Sequence, residues 1–514
     1  MKRFMMKSTF MLVIFCLFIL SACSGASESA QSGKSSGSNT LTVAQNADAI
    51  TLDPHKTNDH ASANPMQQVY NTLVDLTPDM EVVPSLAESW EQVDDLTWQF
   101  KLRQGVKFHN GEELKASDVK FTYDRLLDPS TASPGAFLLE QVSEIKVVDD
   151  YTVEIISKEP FAPLIYNLTH VATGILNEKA VTEAGAQYGQ NPVGTGPYKF
   201  VSWKKDSEIV FEKYDDYFDG APSVDKLVFR IIPESSTAVA ELKTDGVDIM
   251  IDLPSQHISQ FENSDTVTVD RVPSFSVKYL SFNMQEKPFD DPKVRQAINY
   301  ATDKEAIVKA AYQGTAVPAT SPLAPGLNGY NDSLEGYPFD PEKAKELLAE
   351  AGYPDGFSST LYISDADIDT KLGTILQSQL KKVGINLSLQ VMEWGAFLDE
   401  TAKGVPMFVL SWTTVTGDAD NGMYALFHSK NAGGPGNRSF YKSETVDQLL
   451  DNGRKEIDPD KRLTYYQQAQ ETIVNDATWD FLAVSENIVG VNKRVKGFEN
   501  MPTGTYKFEG ISLE

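Results

Sequence analysis

The side chains of this sequence that could do chemistry are six histidines and several clusters of acids. No two histidines stand four residues apart, none belongs to a His-Glu-x-x-His motif, and none has cysteine partners at the spacing of a zinc site. No phosphate-binding loop occurs either. The histidines are His55, His60, His109, His170, His257 and His428. We therefore expect no catalytic residues, no metal site and no cofactor, and we expect that the chain is not an enzyme.

The N-terminus predicts an export signal over residues 1–22. Lys2, Arg3 and Lys7 precede an apolar run from Phe10 to Leu20, which is too short to span a bilayer of about 30 Å. The end of this run, Leu-Ser-Ala-Cys23, resembles the lipobox of bacterial lipoproteins. That resemblance implies cleavage before Cys23 and a diacylglyceryl group on its sulfur. We expect a protein anchored to the cell membrane by lipid and facing the extracytoplasmic side.

Residues 23–40 are predicted to be the lipidated cysteine and a flexible tether. Ser24 to Asn39 contain ten Ser or Gly residues, a composition that cannot bury enough apolar surface to order itself. The other cysteine, Cys16, is lost with the signal, so the mature chain cannot form a disulfide. The remaining length is ample for several packed domains that are stable through their cores alone.

The net charge excludes nucleic acid as a partner. The whole chain carries −27, and removal of the three cations of the signal peptide makes the mature form more negative still. A field of this sign repels phosphate groups and anionic lipids.

The hydrophobic pattern of the first half predicts strands with intervening helices. Residues 96–102 alternate between apolar and polar side chains, which is typical of a half-buried strand. Two further runs, at 145–148 and 153–156, flank Asp149-Asp150 and predict a hairpin. Ser117 is expected to cap a helix that carries Val119, Thr122, Tyr123 and Leu126 on one face.

The second half has strong signals for helix starts and stops. Asp291-Pro292 and Asp340-Pro341 each place a cap and a first-turn proline before a periodic apolar run. Thr302 with Glu305 predicts a capping box, and Gly352 is expected to end its helix in a left-handed conformation. The mixture indicates an α/β fold with at least two domains.

Five blocks of sequence carry a family resemblance, and they occur in the family's order. They are Ser85–Trp90, Phe100–Gly111, Val193–Tyr198, Phe289–Tyr300 and Leu347–Gly356. The chain from about residue 41 to its last residue resembles the peptide/nickel family (family 5, cluster C) of extracellular solute-binding proteins. Within that family, Thr51–Pro54 with Asn58-Asp59, Thr416–Asp420 and Met501–Gly504 are most similar to the glutathione-binding branch. The dipeptide-binding branch is the close alternative.

The resemblance implies an α/β, two-lobed periplasmic-binding-protein-like fold (type II) with an extra subdomain inserted in lobe I. Lobe I is expected from residues 41–70, 190–275 and 485–514, its inserted subdomain from 71–189, and lobe II from 276–484. Two chain crossings, near 274–279 and 481–487, are expected to form the hinge on which the lobes close over a ligand.

The function that the resemblance implies is capture of short peptides outside the cell. The ligand would be a dipeptide, a tripeptide or a glutathione-like molecule, delivered by a monomeric lipoprotein to the permease of an ABC transporter with cytoplasmic ATPases. A nickel or metallophore receptor of the same fold is the alternative, in which His55, His60 or His428 would contact the ligand. A secreted hydrolase is a remote alternative, because no nucleophile and base can be assembled.

The resemblance also implies which side chains hold the ligand. In the dipeptide branch an acid of the loop after the Val409–Trp412 strand pairs with the ligand's α-amine, which points to Asp418 first and Asp420 second. Lys371 and Arg438 are the candidates for the ligand carboxylate. The remaining candidates are the possible pocket walls Trp412 and Tyr441, and Asn58 and Asp59 from lobe I. Several of these candidates have a competing interpretation. One of Asp418 and Asp420 could cap a helix instead, and Lys371 could be an exposed helix residue. Trp412 and Tyr441 could pack in the core.

Overall fold

The computed structural model describes residues 39–57, 59–433 and 436–514. The predicted signal peptide, Cys23 with its lipid, the tether up to residue 38 and the predicted ligand contact Asn58 lie outside the described residues. In the described part of the chain, no helix is both long enough and apolar enough to cross a membrane.

The strands of the described residues form one large mixed sheet, a four-stranded antiparallel sheet and two small pairs. The strands are β1 (Thr40–Gln45), β2 (Val74–Leu76), β3 (Val82–Pro84), β4 (Ala87–Asp94), β5 (Thr97–Leu102), β6 (Val142–Asp149), β7 (Thr152–Ser157), β8 (Tyr198–Lys204), β9 (Glu208–Lys213), β10 (Lys226–Ile231), β11 (Ile249–Met250), β12 (Val267–Phe282), β13 (Ala316–Pro318), β14 (Phe357–Ser364), β15 (Ile385–Met392), β16 (Met407–Thr413), β17 (Trp479–Asn492), β18 (Val495–Lys496) and β19 (Ser512–Leu513).

The helices lie between these strands, and most of them are in the second half of the chain. They are α1 (His60–Val69), α2 (Ala116–Leu127), α3 (Leu164–Asn167), α4 (Glu178–Ala184), α5 (Ser235–Lys243), α6 (Pro292–Ala301), α7 (Lys304–Ala311), α8 (Pro341–Glu350), α9 (Asp367–Lys381), α10 (Trp394–Thr401), α11 (Ala419–Phe427), α12 (Glu444–Lys455) and α13 (Pro459–Asn475).

Two long strands, β12 and β17, hold the two lobes on one sheet. The sheet runs in the order β15-β14-β16-β12-β17-β11-β1-β10-β9-β8, with β13 added to β17. The first half of β12 pairs with the end of β17 that also contacts β11, whereas its second half lies between β17 and β16. The register shifts between Pro273 and Val277. The predicted crossings at 274–279 and 481–487 fall on these strands, and the lobe boundaries stay a prediction.

Each half of the large sheet and the four-stranded sheet cover hydrophobic cores of their own. On the β1–β10 half the core includes Tyr198, Phe211 and Phe229. Two further cores lie beside β12 and β16. One of them contains Trp479 and Phe427, and the other contains Phe282 and Leu376. The four-stranded sheet β4-β5-β7-β6 packs on α2 around Phe100 and Tyr123. The α/β two-lobed architecture that the sequence predicts is therefore confirmed.

The segment 159–166, which follows β7, contacts α12 and the loop residue Asn328 directly. Lys455 Nζ lies 2.8 Å from Glu159 Oε2, and Asn328 Nδ2 donates to Tyr166 Oη at 2.9 Å. The backbone N–H of Ala162 donates to the carbonyl of Arg454 at 2.8 Å. These polar contacts join the segment that follows β7 to helices far along the chain.

Several predicted element ends are confirmed, and two are wrong by one or two residues. Asp291 caps α6 and Asp340 caps α8 through their carboxylates, as predicted. Thr302 is instead the C-cap residue that follows α6, and the neighbouring Asp303 caps α7 by accepting from Ala306 N–H. Helix α2 begins at Ala116 rather than after Ser117, with the Asp118 carboxylate accepting from the backbone N–H of Lys115.

The turn after α8 provides a test of the described backbone. Gly352 has a φ of +90°, and a Cβ added there would have no atom within 4 Å. Gly356 has a φ of +77°, and a Cβ added there would lie 2.0 Å from the backbone oxygen of Gly384. We expect Gly352→Ala to cost about 1 to 2 kcal/mol, the left-handed backbone penalty alone. Gly356→Ala should cost at least about 3 kcal/mol, because backbone must also move. Urea denaturation of both variants measures the difference, and equal midpoints would contradict this packing.

Candidate ligand-binding cleft

One cavity among the described residues has a volume of about 590 Å³, within the range of about 300 to 1,000 Å³ that is usual for small-ligand sites. We call it the main cavity. Its wall comes from the start of α1, the β2–β3 hairpin, the turn at His170, the loop after β16 and the segment 497–510. These residues are Thr57, Asp59, His60, Ala63, Met66, Gln67, Asp75, Leu76, Thr77, Pro78, Val83, Thr169, His170, Val171, Val415, Gly497, Glu499, Met501, Thr503, Thr505, Lys507, Glu509 and Gly510.

A smaller cavity of about 200 Å³ shares His60 and Thr503 with the main cavity. Its wall includes Ser276 of β12, Thr413 at the end of β16 and Ser485 of β17. The two cavities therefore meet along one cleft, which lies over the strands that join the two halves of the sheet. We call this combined space the cleft.

Asp59 is fixed in the wall of the main cavity by its own helix. Its carboxylate accepts hydrogen bonds from the backbone N–H of Ser62 at 2.8 Å and the Ser62 hydroxyl at 2.7 Å, and it also accepts from the Thr57 hydroxyl. As the N-cap of α1, Asp59 lies at the positive end of the helix dipole. An ordered carboxylate at this place can bind a cationic group of a ligand.

Lys507 forms an ion pair with Asp75 on another part of the wall. Burial works against a charged lysine, but Asp75 and Glu509 together raise the pKa of Lys507. Burial raises the pKa of Glu509, and Lys507 opposes that rise. This part of the cavity therefore contains two acids around one lysine.

His170 contributes a neutral ring. Its Nδ1 accepts a hydrogen bond from the backbone N–H of Ala172 at 3.1 Å. Burial, helped by the charge of His60, lowers the pKa of His170 to about 4. At neutral pH the His170 ring is therefore a polar group without charge.

Asp418 and Asp420, the predicted partners of a ligand amine, lie in a buried ionic cluster. Asp418 is 1 % exposed, and Arg462 Nη1 and Nη2 contact its two carboxylate oxygens at 2.6 and 2.7 Å. Asp420 contacts Arg454 Nε at 3.1 Å and accepts from Tyr466 Oη at 3.2 Å. Asp418 also caps α11, as the competing interpretation held. Neither acid lines the main or the smaller cavity.

The candidates for the ligand carboxylate and the pocket walls are also placed away from the two cavities. Lys371 is exposed on α9, and the buried Arg438 donates to the Thr401 hydroxyl at 2.7 Å. Trp412 donates from Nε1 to the carbonyl of Asn421 at 3.0 Å, and Tyr441 donates to Asp476 at 2.6 Å. Of the contacts predicted for a peptide ligand and described by the structure, Asp59 is the one that lines either cavity, whereas His60, predicted for the nickel alternative, lines both. The ligand-binding roles of the others stay predictions.

Sequence reasoning missed most of the polar wall of the main cavity. Asp75, Lys507 and Glu509 are far apart in the chain, and His170 lies in a short turn. The segment 497–510 has little regular structure, so no periodic pattern marks its residues. The similarity of Met501–Gly504 to the glutathione-binding branch was the one signal that pointed to this segment.

Comparison of the sequence with known protein families gives a match. Residues 81–434 match the family described as "Bacterial extracellular solute-binding proteins, family 5 Middle".

This chain belongs to the family 5 bacterial extracellular solute-binding proteins. Among curated proteins it is similar to the glutathione-binding protein GsiB of Pectobacterium atrosepticum, with 35% identity over 481 residues, which cover 92% of this chain and 93% of that protein.

Solved structures of the solute-binding family show the same architecture. The ABC transporter-associated periplasmic binding protein DppA from Helicobacter pylori, in complex with the peptide STSA, is 33% identical with a TM-score of 0.80, covering 92% of this chain and 98% of that one. HbpA2 from Haemophilus parasuis is also 33% identical, with a TM-score of 0.85 over 92% and 100% of the two chains.

The buried pair Asp418–Arg462 gives a testable expectation for this family 5 member. Asp418→Asn keeps the helix cap but leaves Arg462 charged and unpaired inside the protein, so it should cost about 3 to 5 kcal/mol of unfolding free energy. Asp291→Asn is the control, because Asp291 caps α6 and has no ion pair among the described residues. It should change stability by less than about 0.5 kcal/mol. Equal urea midpoints for the two variants would contradict the stabilising role of the pair.

Proposed function

We propose that this chain is the solute-binding receptor of an ABC importer and that it captures short peptides in the cleft. The observation that carries the proposal is the ordered Asp59 carboxylate in the wall of a cavity of about 590 Å³. A zwitterionic ligand in a cleft that excludes water needs an acid beside its amine and hydrogen-bond donors beside its carboxylate. Asp59 supplies the acid.

The same wall supplies donors for the other end of a peptide. His60 and the hydroxyls of Thr503 and Thr505 line the main cavity and are able to donate hydrogen bonds to carboxylate or carbonyl oxygens. Apolar side chains, including Met66, Leu76 and Val83, lie between these polar groups. Such a wall suits a chain of amides and small side chains.

The comparisons support the peptide class. A relative of similar length is named for glutathione, a tripeptide, and a solved neighbour holds a tetrapeptide and is described as ABC transporter-associated. By analogy, the partners of this chain are the transmembrane subunits of a permease and its cytoplasmic ATPases. We propose that it acts as a monomer, by binding and delivery without catalysis.

Thermal melting with a ligand panel tests the proposal. The mature domain from Thr40 onward is melted with dipeptides, tripeptides, reduced and oxidised glutathione, and nickel with histidine. A peptide that binds only the folded state should stabilise it by about 2.7 kcal/mol at a hundredfold excess over its dissociation constant. A panel in which no peptide raises the melting temperature, or in which nickel with histidine alone does, would reject the peptide class.

The role of Asp59 is tested with the same peptides. Asp59→Asn keeps the helix cap and removes the charge, so a free-amine peptide should bind at least about tenfold more weakly. Its N-acetylated form should keep the affinity that it has for the wild type, because it has no cation to lose. Asp291→Asn serves as the control variant and should leave both affinities unchanged. Equal losses for both peptides in Asp59→Asn would indicate a damaged loop rather than a lost charge pair.

We also propose that the protein is a lipoprotein held at the outer face of the cell membrane through Cys23. The signal peptide and the Leu-Ser-Ala-Cys23 sequence support this. Cys23→Ala should abolish incorporation of a labelled fatty acid and release the protein or leave it unprocessed. Cys16→Ala, in the apolar run of the signal, is the matched control and should be labelled normally. A Cys23→Ala variant that still incorporates the label would show that another residue carries the anchor.

A further inference from the structure

The charges that line the main cavity are unequal in number. The acids are Asp59, Asp75, Glu499 and Glu509, whereas Lys507 is the one lysine, with no arginine, among the described residues of the wall. The other titratable groups of the wall are His60 and His170. The wall of the main cavity therefore carries an excess of negative charge.

Lys507 cannot balance this excess, because it is already engaged. Its ammonium group forms an ion pair with Asp75, and that pair has no net charge. The charge of Lys507 also acts on Glu509 and opposes the rise of its pKa. The exposed Asp219 adds a further negative charge near Glu509. One cation thus faces three carboxylates in this part of the molecule.

Glu509 is an acid of the wall whose charge is only partly compensated. It is half-buried, and the described residues contain no cation within ion-pair distance of its carboxylate. Its raised pKa reflects this loss of hydration, which Lys507 only partly offsets. A carboxylate that is desolvated without a partner is unfavourable, and the arrival of a cation removes that cost.

We propose that the main cavity selects peptides that carry a cationic side chain, with Glu509 binding the side-chain ammonium or guanidinium while Asp59 binds the α-amine. This inference rests on the peptide-binding function proposed above. Apolar groups of the wall, such as Met66 and Leu76, would pack against the methylene stem of a lysine or arginine side chain.

The same charges disfavour anionic peptides. Reduced glutathione has one ammonium and two carboxylates, so it brings a net negative charge into a cavity that already has an excess of acids. Like charges placed together in a site act against the wrong ligand even where its shape fits. This chain should therefore differ in ligand preference from a relative that is named for glutathione.

Isothermal titration with three matched tripeptides tests the inference. The peptides are Ala-Lys-Ala, Ala-Ala-Ala and Ala-Glu-Ala, and reduced glutathione is titrated alongside them against the mature domain. We expect Ala-Lys-Ala to bind at least about tenfold more tightly than Ala-Glu-Ala, with Ala-Ala-Ala between them. In Glu509→Gln the ratio between the lysine and glutamate peptides should fall at least about fivefold. Raised salt should weaken binding of the lysine peptide more than binding of Ala-Ala-Ala.

Glu514→Gln is the matched control, because Glu514 is an exposed glutamate five residues after Glu509, pairs with Lys496 and does not line the main cavity. It should leave the ratio unchanged within about twofold. Three results would overturn the inference while leaving peptide binding intact. The first is equal affinity for all three peptides, and the second is tighter binding of Ala-Glu-Ala or glutathione than of Ala-Lys-Ala. The third is an unchanged ratio in Glu509→Gln. Absence of binding by every peptide would overturn the proposed function, and the inference with it.

Discussion

The antiparallel pairing of β12 with β17 is the constraint on which the rest of the structure depends. These two strands are the only long segments among the described residues that take part in both halves of the large sheet. The register shift between Pro273 and Val277 interrupts the ladder at the place where the two halves meet. Ser276 and Ser485, which line the smaller cavity, belong to the same strands. The position of the cleft therefore follows from the strand pairing.

Asp418 and Asp59 differ in whether a cation inside the protein compensates their charge. Asp418 is almost fully buried and has two short contacts with one arginine, so its charge is matched inside the protein. Asp59 is satisfied by hydroxyl and amide donors and has no cation of its own among the described residues. Breaking a matched pair costs stability, whereas an acid without a counter-charge gains when a cationic ligand arrives. Asp418 and Asp59 are both helix N-caps, so their local roles are alike although their charged surroundings differ.

Local signals were enough for several of the element ends. Asp291 and Asp340 act within a few residues of themselves, and the hairpin at Asp149-Asp150 is fixed by its neighbours, so these features could be predicted from sequence. Thr302 failed as a cap because the adjacent Asp303 caps α7, and aspartate is preferred over threonine at that position. The family resemblance, rather than any local pattern, drew attention to Asp59.

The partners of the other candidate residues depend on the tertiary fold. Arg462 lies 44 positions beyond Asp418, and Thr401 lies 37 positions before Arg438. No spacing rule connects residues so far apart, and either side chain could equally have faced a ligand. For the same reason the set formed by Asp75, Lys507 and Glu509 was not visible in the sequence.

The double duty of Asp59 has a consequence for how this receptor can change over evolution. Any replacement at this position alters the start of α1 as well as the cleft, and only a few residue types cap a helix well. The segment 497–510 has no comparable helix to support, yet it contributes Glu499, Lys507 and Glu509 to the wall. Drift towards new ligands should therefore be concentrated in this segment, while Asp59 at the start of α1 should change little.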